Sequence, residues 1–266
     1  MKILIYNSGG GLGDSIQLFD LISTLIDKYG KDELYYLSAH KDHFNNSLKE
    51  YNIPLKELKT DIIYFGFRLW HLFRSKNKIL ENNFIDKFDL IIDLQSKLRN
   101  TIILKQFPCH NFYSSTFNFK FCNIKKDYAS AKYELRNIIP NLEKLLETKI
   151  PYKKNDLNII DQIFFDEAKK LLPDQNYIGF SITQGNKYRK KSWPLKNFIN
   201  IAKKISKKNK KPVFFIEKNN IELITKIKKE VDNALFPELE TTLSGPPLIS
   251  ALSTRLEKAI SIDNGI

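Results

Sequence analysis

Cysteine, methionine and tryptophan are scarce in this chain, with two, one and two copies among 266 residues. The two cysteines, Cys109 and Cys122, do not form a C-x-x-C pair, which argues against both a disulfide framework and a thiolate metal centre. Histidine is also sparse, and no H-E-x-x-H pattern occurs. His40 and His43 could share one helix face, but no third ligand lies near them in sequence, so no metal site is expected. No apolar run approaches the roughly 20 residues of a membrane-spanning helix. The N-terminus, MKILIYNSGGG, reaches polar Asn7 too soon to hold a signal-peptide core and reads as a first strand. The expectation is a cytoplasmic protein. A fourth absence is local: from Gln175 to Ile216 there is no aspartate or glutamate.

What is present is ordinary in bulk and uneven in detail. Hydrophobic residues make up 42% and charged residues 27%, normal for a globular protein long enough to bury a real core. The net charge is +13. Lysine supplies most of it in a chain also crowded with isoleucine and asparagine, a trio that AT-rich coding favours, so the distribution says more than the total. Inside the acid-free stretch stand Lys187, Arg189, Lys190, Lys191, Lys196, Lys203, Lys204, Lys207, Lys208, Lys210 and Lys211. Such a block suits a nucleotide diphosphate, an anionic membrane surface or nucleic acid.

Periodicity predicts two series of alternating strands and helices. In the first, the strand Lys2–Tyr6 leads to the turn Ser8–Asp14, a helix over Ile16–Ile26 and a second strand, Leu34–Leu37. Ile62–Phe65 is expected as strand three, Leu90–Ile92 as strand four, and Phe112–Tyr113 as a weaker fifth. Asp127–Leu157 reads as helical and then irregular, with Pro140 and Pro151 as breakers. In the second series, helices are expected over Asp161–Leu172, from Pro194 to Ser206, over Ile221–Val231 and over Leu248–Lys258. The strands expected there are Tyr177–Ile182, Pro212–Ile216 and Ala259–Ile262. Short apolar strands alternating with helices point to parallel sheets covered on both faces. Only Ile266 follows Asp263-Asn264-Gly265, where a strand would ordinarily turn into another element, so a C-terminal domain cut short is expected.

Three segments could carry chemistry. The turn holding Gly9, Gly10, Gly11, Gly13 and Asp14 joins a strand to a helix, where backbone N–H groups and the helix dipole favour an anionic or polar ligand. It lacks the Gly-Lys-Ser/Thr of a Walker loop. It also lacks G-x-G-x-x-G spacing with an acid closing strand two, since that strand runs into Leu37-Ser38-Ala39-His40. Asp14 can be read as a reactive carboxylate or as an N-cap only. The second segment, Thr183 to Pro194, follows a strand end and holds Gly185 and Lys191, which reads as a diphosphate loop or a solvated basic loop. The third, Asp263-Asn264-Gly265, ends the last strand with small polar residues, a common turn pair among them.

These segments occur in register with two others: GGGLGD at the first turn, FDLIIDLQSKLRN at strand four, Lys191 with Trp193-Pro194 opening a helix, and SGPPLISALSTRLEKAISIDNG at the end. Together they resemble the ADP-heptose:lipopolysaccharide heptosyltransferase family, glycosyltransferase family 9, over nearly the whole chain. The resemblance implies an α/β GT-B fold of two Rossmann-like domains with parallel sheets facing a cleft. Residues 1–157 would form the acceptor-side domain, and residues 158–266 an incomplete nucleotide-sugar domain. It implies an inverting, metal-independent transfer of a sugar, heptose in the first place, from a nucleotide sugar to a lipopolysaccharide-core or related surface-glycan acceptor. Asp14 would be the catalytic base. Thr183, Gly185, Lys191, Asp263, Asn264 and Gly265 would bind the donor, and Gly11, Gly13, Gln95 and Arg99 would lie on the acceptor side. No cofactor is implied beyond the donor substrate, ADP-heptose by resemblance, and no nucleic acid is expected as a partner. The protein would work in the cytoplasm, with peripheral contact to an anionic membrane at the inner face of the inner membrane.

The chain departs from the family at Asp20, where a proline is usual, and at Glu217-Lys218, where Gly-Gly is usual. Glu222 stands near the family's ribose-binding acid. Phe67 to Arg74 mixes aromatic and basic residues, and reads as a border of the acceptor site, a membrane contact or a partly buried helix. Two other readings of the whole chain stay open: a GT-B enzyme using a UDP- or GDP-sugar, and a non-catalytic binder of anionic surfaces or nucleic acid.

Overall fold

The computed structural model describes residues 1–7, 11–38, 43–58, 67–73, 87–95, 97–130, 134–183 and 193–262. The chain divides into two compact units, Met1–Asp156 and Leu157–Ile266.

The first unit is built on five parallel strands: β1 (Ile3–Asn7), β2 (Leu34–Ser38), β3 (Lys56–Glu57), β4 (Phe88–Asp93) and β5 (Cys109–Ser114), in the order β3-β2-β1-β4-β5. The chain winds outward from β1 through β2 to β3, then returns to add β4 and β5 on the other side. β1 therefore lies at the centre, and the order reverses between β1 and β4. β1 is buried along its whole length and β4 nearly so, as expected of strands covered on both faces. Leu4, Tyr6, Leu37, Phe88, Ile91 and Phe112 meet Ile103, Leu104 and Phe107 in one core cluster.

Several expectations needed correction. The single helix expected over Ile16–Ile26 is two, α1 (Leu12–Ile16) and α2 (Phe19–Tyr29), because the chain tightens at Gln17 and Leu18, whose N–H donates to the Ser15 carbonyl. β3 was missed because two charged residues on an edge leave no apolar signature. Strand three as expected, Ile62–Phe65, lies outside the described residues. β5 is a full six-residue strand rather than a weak one. Pro140 does not break its helix: it sits inside the helix running from Glu134 to Leu146, whose buried Ile138, Ile139, Leu142 and Leu145 hold it against the sheet side.

Before that helix come α3 (Leu98–Leu104) and α4, a single turn over Thr116–Phe119; the Pro140 helix is α5. α4 is left-handed at Phe117 and Asn118, and Phe119 also has positive φ. After α5 the chain runs back along α2. Asn155 N–H donates to Asp20 Oδ1 at 2.8 Å, the Tyr152 hydroxyl donates to Asp20 Oδ2, and Lys153 pairs with Asp27 at 2.6 Å. Asp20 thus has a structural role where the resembling family carries proline.

Among its described residues the second unit has three parallel strands, β6 (Tyr177–Ser181), β7 (Lys211–Phe215) and β8 (Leu256–Ser261), in the order β7-β6-β8. Its helices are α6 (Gln162–Leu171), α7 (Leu195–Ser206), α8 (Ile221–Glu230) and α9 (Pro246–Ser253). Asp161 caps α6, its carboxylate accepting from Ile163 N–H at 2.9 Å. The last helix ends eight residues after it starts, and Leu256–Lys258, expected as its end, open β8 instead. Gly179 lies mid-sheet on the central strand. A Cβ there would come 2.5 Å from Leu256 Cδ1 and 3.0 Å from Phe215 Cε2, so the missing side chain lets both neighbouring strands pack inward.

Candidate active site

In an open parallel sheet, ligands bind beyond the C-terminal ends of the strands, at the point where the strand order reverses. In the first unit that point lies between β1 and β4. The strands there end in polar residues: Asn7 on β1, Ser38 on β2, Asp93 on β4 and Ser114 on β5, with Asn7 in register with Ser38 and Asp93 with Ser114. Asn7, Asp93 and Ser114 are all buried. Polar side chains do not stay buried unpaired, and these three are joined in one network.

Asp93 is its anchor. Its Oδ2 accepts from the Thr101 hydroxyl at 2.5 Å and the Ser114 hydroxyl at 2.8 Å, and its Oδ1 accepts from Gln95 N–H at 3.0 Å. Thr116 Oγ1 lies 2.7 Å from Thr101 Oγ1, and Thr116 N–H donates to Ser114 Oγ at 3.2 Å, which ties the start of α4 to the same carboxylate. Gln95 then turns its side chain toward β1 and donates to Asn7 Oδ1 at 2.8 Å. Asn7 Nδ2 in turn donates to the Asp14 carbonyl and to the Tyr36 hydroxyl, each at 3.3 Å. Ser15, buried on α1, is 3.4 Å from the same hydroxyl.

Asp14 stands at the end of this chain of contacts. It is the third residue of α1, its backbone is held by Asn7, and its side chain is exposed. Asp14 Oδ2 accepts from Gly11 N–H at 3.3 Å, the back-bond of a residue in the first helical turn. A Cβ on Gly11 would sit 3.1 Å from that same oxygen, so glycine gives the carboxylate room to fold back. The result is an exposed carboxylate, fixed at its base and open to a ligand. Of the residues expected on the acceptor side, the structure brings Gly11, Gly13 and Gln95 to this point with Asp14. Gly9 and Gly10 lie outside the described residues.

Arg99 opens α3 and belongs to a different neighbourhood. His71 is fully buried, and its Nδ1 accepts from Arg68 N–H at 2.8 Å. Burial lowers the proton affinity of the His71 imidazole, and the charges of Arg68 and Arg99 add to that effect. Around it, Phe67 is buried while Leu69, Trp70 and Phe73 are exposed, Phe73 at 90%. The segment is thus a short helical turn of Leu69–Phe73 with one face inward and an aromatic face outward. Cys109 and Cys122 are free thiols, both pushed up in pKa by burial.

In the second unit the order reverses between β6 and β8. Thr183 follows β6 by two residues, and Ile262 N–H donates to the Ser181 carbonyl at 3.1 Å, so the two strand ends leave the sheet side by side. Of the expected donor residues, Thr183 is at this edge; Gly185, Lys191, Asp263, Asn264 and Gly265 lie outside the described residues. Beyond the end of β7, the Lys218 ammonium donates to the Thr241 carbonyl, and burial with Glu217 nearby pushes the Glu238 carboxyl up.

The basic block looks different once folded. Lys203 pairs with Glu230 at 2.6 Å and Lys211 with Asp174 at 2.5 Å, and Lys210 pairs with Glu257. Acids outside the stretch therefore neutralise part of a run that has none of its own.

Sequence reasoning missed Asn7, Tyr36, Asp93, Thr101, Ser114 and Thr116. For three of them a signal was present, a polar residue closing an apolar strand, as in Tyr6-Asn7, Ile92-Asp93 and Tyr113-Ser114.

No protein-family model and no curated protein matches the chain. Solved structures do. An Escherichia coli heptosyltransferase, WaaC, solved with ADP, superposes with a TM-score of 0.62 at 12% identity, covering 100% of this chain and 82% of that one. A glycosyl transferase family 9 protein from Veillonella parvula gives 0.60 at 17% identity, covering 99% and 75%. A UDP-GlcNAc 2-epimerase from Methanocaldococcus jannaschii gives 0.53 at 12% identity, covering 98% and 77%. At such identities the likeness is one of fold: the chain has the GT-B fold, with two Rossmann-like α/β units. The fold is shared by a transferase and an epimerase, so chemistry has to be argued from the site.

Proposed function

We propose that this protein is a glycosyltransferase that moves a sugar from a nucleotide-sugar donor to a hydroxyl of a glycan acceptor. The observation that carries the reading is the exposed Asp14 carboxylate at the β1–β4 reversal, held by Gly11 and, through Asn7 and Gln95, by buried Asp93. In the proposed step the acceptor oxygen attacks the anomeric carbon from the face opposite the diphosphate, which inverts that centre. The hydroxyl proton passes to the Asp14 carboxylate as the new bond forms. The bond from sugar to diphosphate breaks, and its electron pair leaves with the diphosphate. Lys191 is the proposed cation that offsets this charge, with Thr183, Gly185, Asp263, Asn264 and Gly265 around the donor. Gly11, Gly13, Gln95 and Arg99 are proposed for the acceptor side.

On this reading the enzyme works without a metal, the donor is ADP-heptose and the acceptor a lipopolysaccharide core or related surface glycan, as the sequence resemblance implies. Among the described residues no helix is long and apolar enough to cross a membrane. The exposed Leu69, Trp70 and Phe73, in a chain of net charge +13, support peripheral contact with an anionic membrane surface at the cytoplasmic face. A second reading, in which the donor is a UDP- or GDP-sugar, stands beside it because Glu217-Lys218 replaces the family's Gly-Gly, with the Lys218 ammonium donating to the Thr241 carbonyl.

A melting-temperature screen with ADP-, GDP- and UDP-sugars tests this. One nucleotide class should raise the transition by roughly 5 °C at a hundredfold excess over its dissociation constant. No response to any of them, with tight and steeply salt-dependent binding to DNA or RNA instead, would replace the transferase with an anionic-surface or nucleic-acid binder.

A further inference from the structure

Along the edge that carries Asp14, the strand β5 runs into the left-handed turn α4, and beside that turn lies an open cavity of about 500 Å³ lined by Asn118, Phe119, Lys120, Lys125, Lys126 and Tyr128. Its volume falls in the roughly 300–1,000 Å³ range of small-molecule sites. The lining divides by chemistry. Phe119 and Tyr128 form an aromatic wall, with ring centroids 4.9 Å apart, backed by the buried Tyr113 at 5.9 Å from Phe119. The wall is fixed from behind: Asn141, buried on α5, donates to the Tyr113 hydroxyl at 3.2 Å and accepts from Ala129 N–H at 2.7 Å, while the Tyr128 hydroxyl donates to the Ile124 carbonyl at 2.8 Å.

The rim is cationic. Lys126 shares its charge with Glu147 at 2.6 Å, but among the described residues neither Lys120 nor Lys125 is ion-paired. The Lys125 ammonium gives one hydrogen bond, to the Lys120 carbonyl at 2.7 Å, which leaves two of its three donors for a ligand. Three successive positive-φ residues, none of them glycine, bring Asn118 and Phe119 into the lining. Backbone in this sparsely populated region persists only where its surroundings hold it there.

We propose that this pocket binds the anionic group of a saccharide, a carboxylate or a phosphate carried on a sugar ring. Ammonium point charges accept either anion without a fixed fork geometry, and the partly exposed Tyr128 ring, backed by buried Phe119, borders the space for the sugar. β5 stands two strand spacings from β1, on the order of 10 Å, and the Thr116–Ser114–Asp93–Gln95–Asn7 contacts link the two places. The pocket would therefore hold a charged sugar of an acceptor long enough to span at least that distance, while a hydroxyl of another residue of the same glycan lies at Asp14. That second statement rests on the transferase reading; binding of an anionic sugar does not.

The test is a titration of the full chain with glucose 6-phosphate, glucuronate and neutral glucose, followed by calorimetry and by backbone amide shifts. At least one anionic sugar should bind and move the amides of residues 117–128, glucose should not, and which anion binds identifies the group. Lys120→Ala with Lys125→Ala removes two exposed ammoniums, and should weaken that binding at least tenfold with an unchanged melting temperature. Failure of both anionic sugars to bind, or equal binding by the double variant, overturns the pocket. A positive titration with a negative nucleotide-sugar screen would instead keep the pocket and remove the transferase.

Discussion

The residue on which the site turns is not the one with the most contacts. Among the described residues Asp14 makes one side-chain hydrogen bond, to Gly11, and is exposed, whereas Asp93 is wholly buried and accepts from Gln95, Thr101 and Ser114. The two carboxylates divide the work between ligand and scaffold. Asp93 fixes Gln95, which fixes Asn7, which holds the backbone of Asp14. Replacing Asp93 by alanine would remove the acceptor shared by the Thr101 and Ser114 hydroxyls and the Gln95 N–H, leaving the two buried hydroxyls with their longer bonds to the Lys97 carbonyl and Thr116 Oγ1. Asp93→Ala should therefore lower stability by about 2–4 kcal/mol, read from the midpoint of urea unfolding. A change under about 0.5 kcal/mol, the level of an ordinary surface substitution, would mean that the network stabilises nothing.

At the scale of elements, the strands were legible where burial on both faces made them apolar. β1, β2, β4, β6 and β7 all announce themselves as short runs. What was not legible had competing signals. Leu256–Lys258 continue a run that suits a helix, yet pair with Tyr177 and Ile178 on β6, because tertiary pairing outweighs local preference. Pro140 reads as a stop, but the apolar stripe of α5 carries the helix through it. That proline removes one backbone donor and crowds the carbonyl four residues back, and its own side chain faces solvent. Its stiffening of the unfolded chain recovers only part of the loss. Pro140→Ala should accordingly stabilise the protein by about 1–2 kcal/mol, visible as a higher urea midpoint. A lower midpoint would show that the helix depends on the proline.

For the whole molecule, the GT-B fold was legible because separated motifs fell in a fixed order, and solved structures that share the fold are only 12–17% identical to the chain. The candidate site was only half legible. Asp14 and its glycines stood out as a cluster, while Asn7, Asp93 and Ser114 are brought together by strand register and Thr101 and Thr116 reach them from α3 and α4, a meeting that no local pattern encodes. The basic block was legible as a run, but its partners were not: Asp174, Glu230 and Glu257, all outside the run, pair with three of its lysines. The central claim remains that the carboxylate of Asp14 takes the acceptor proton. It is tested most directly by measuring turnover and donor affinity of Asp14→Asn with the nucleotide sugar that the melting screen selects. Asparagine keeps the shape and an oxygen for Gly11 N–H but loses the base, so kcat should fall by about 10²–10⁴ while the donor dissociation constant stays unchanged. Turnover equal to that of the native chain would contradict the claim.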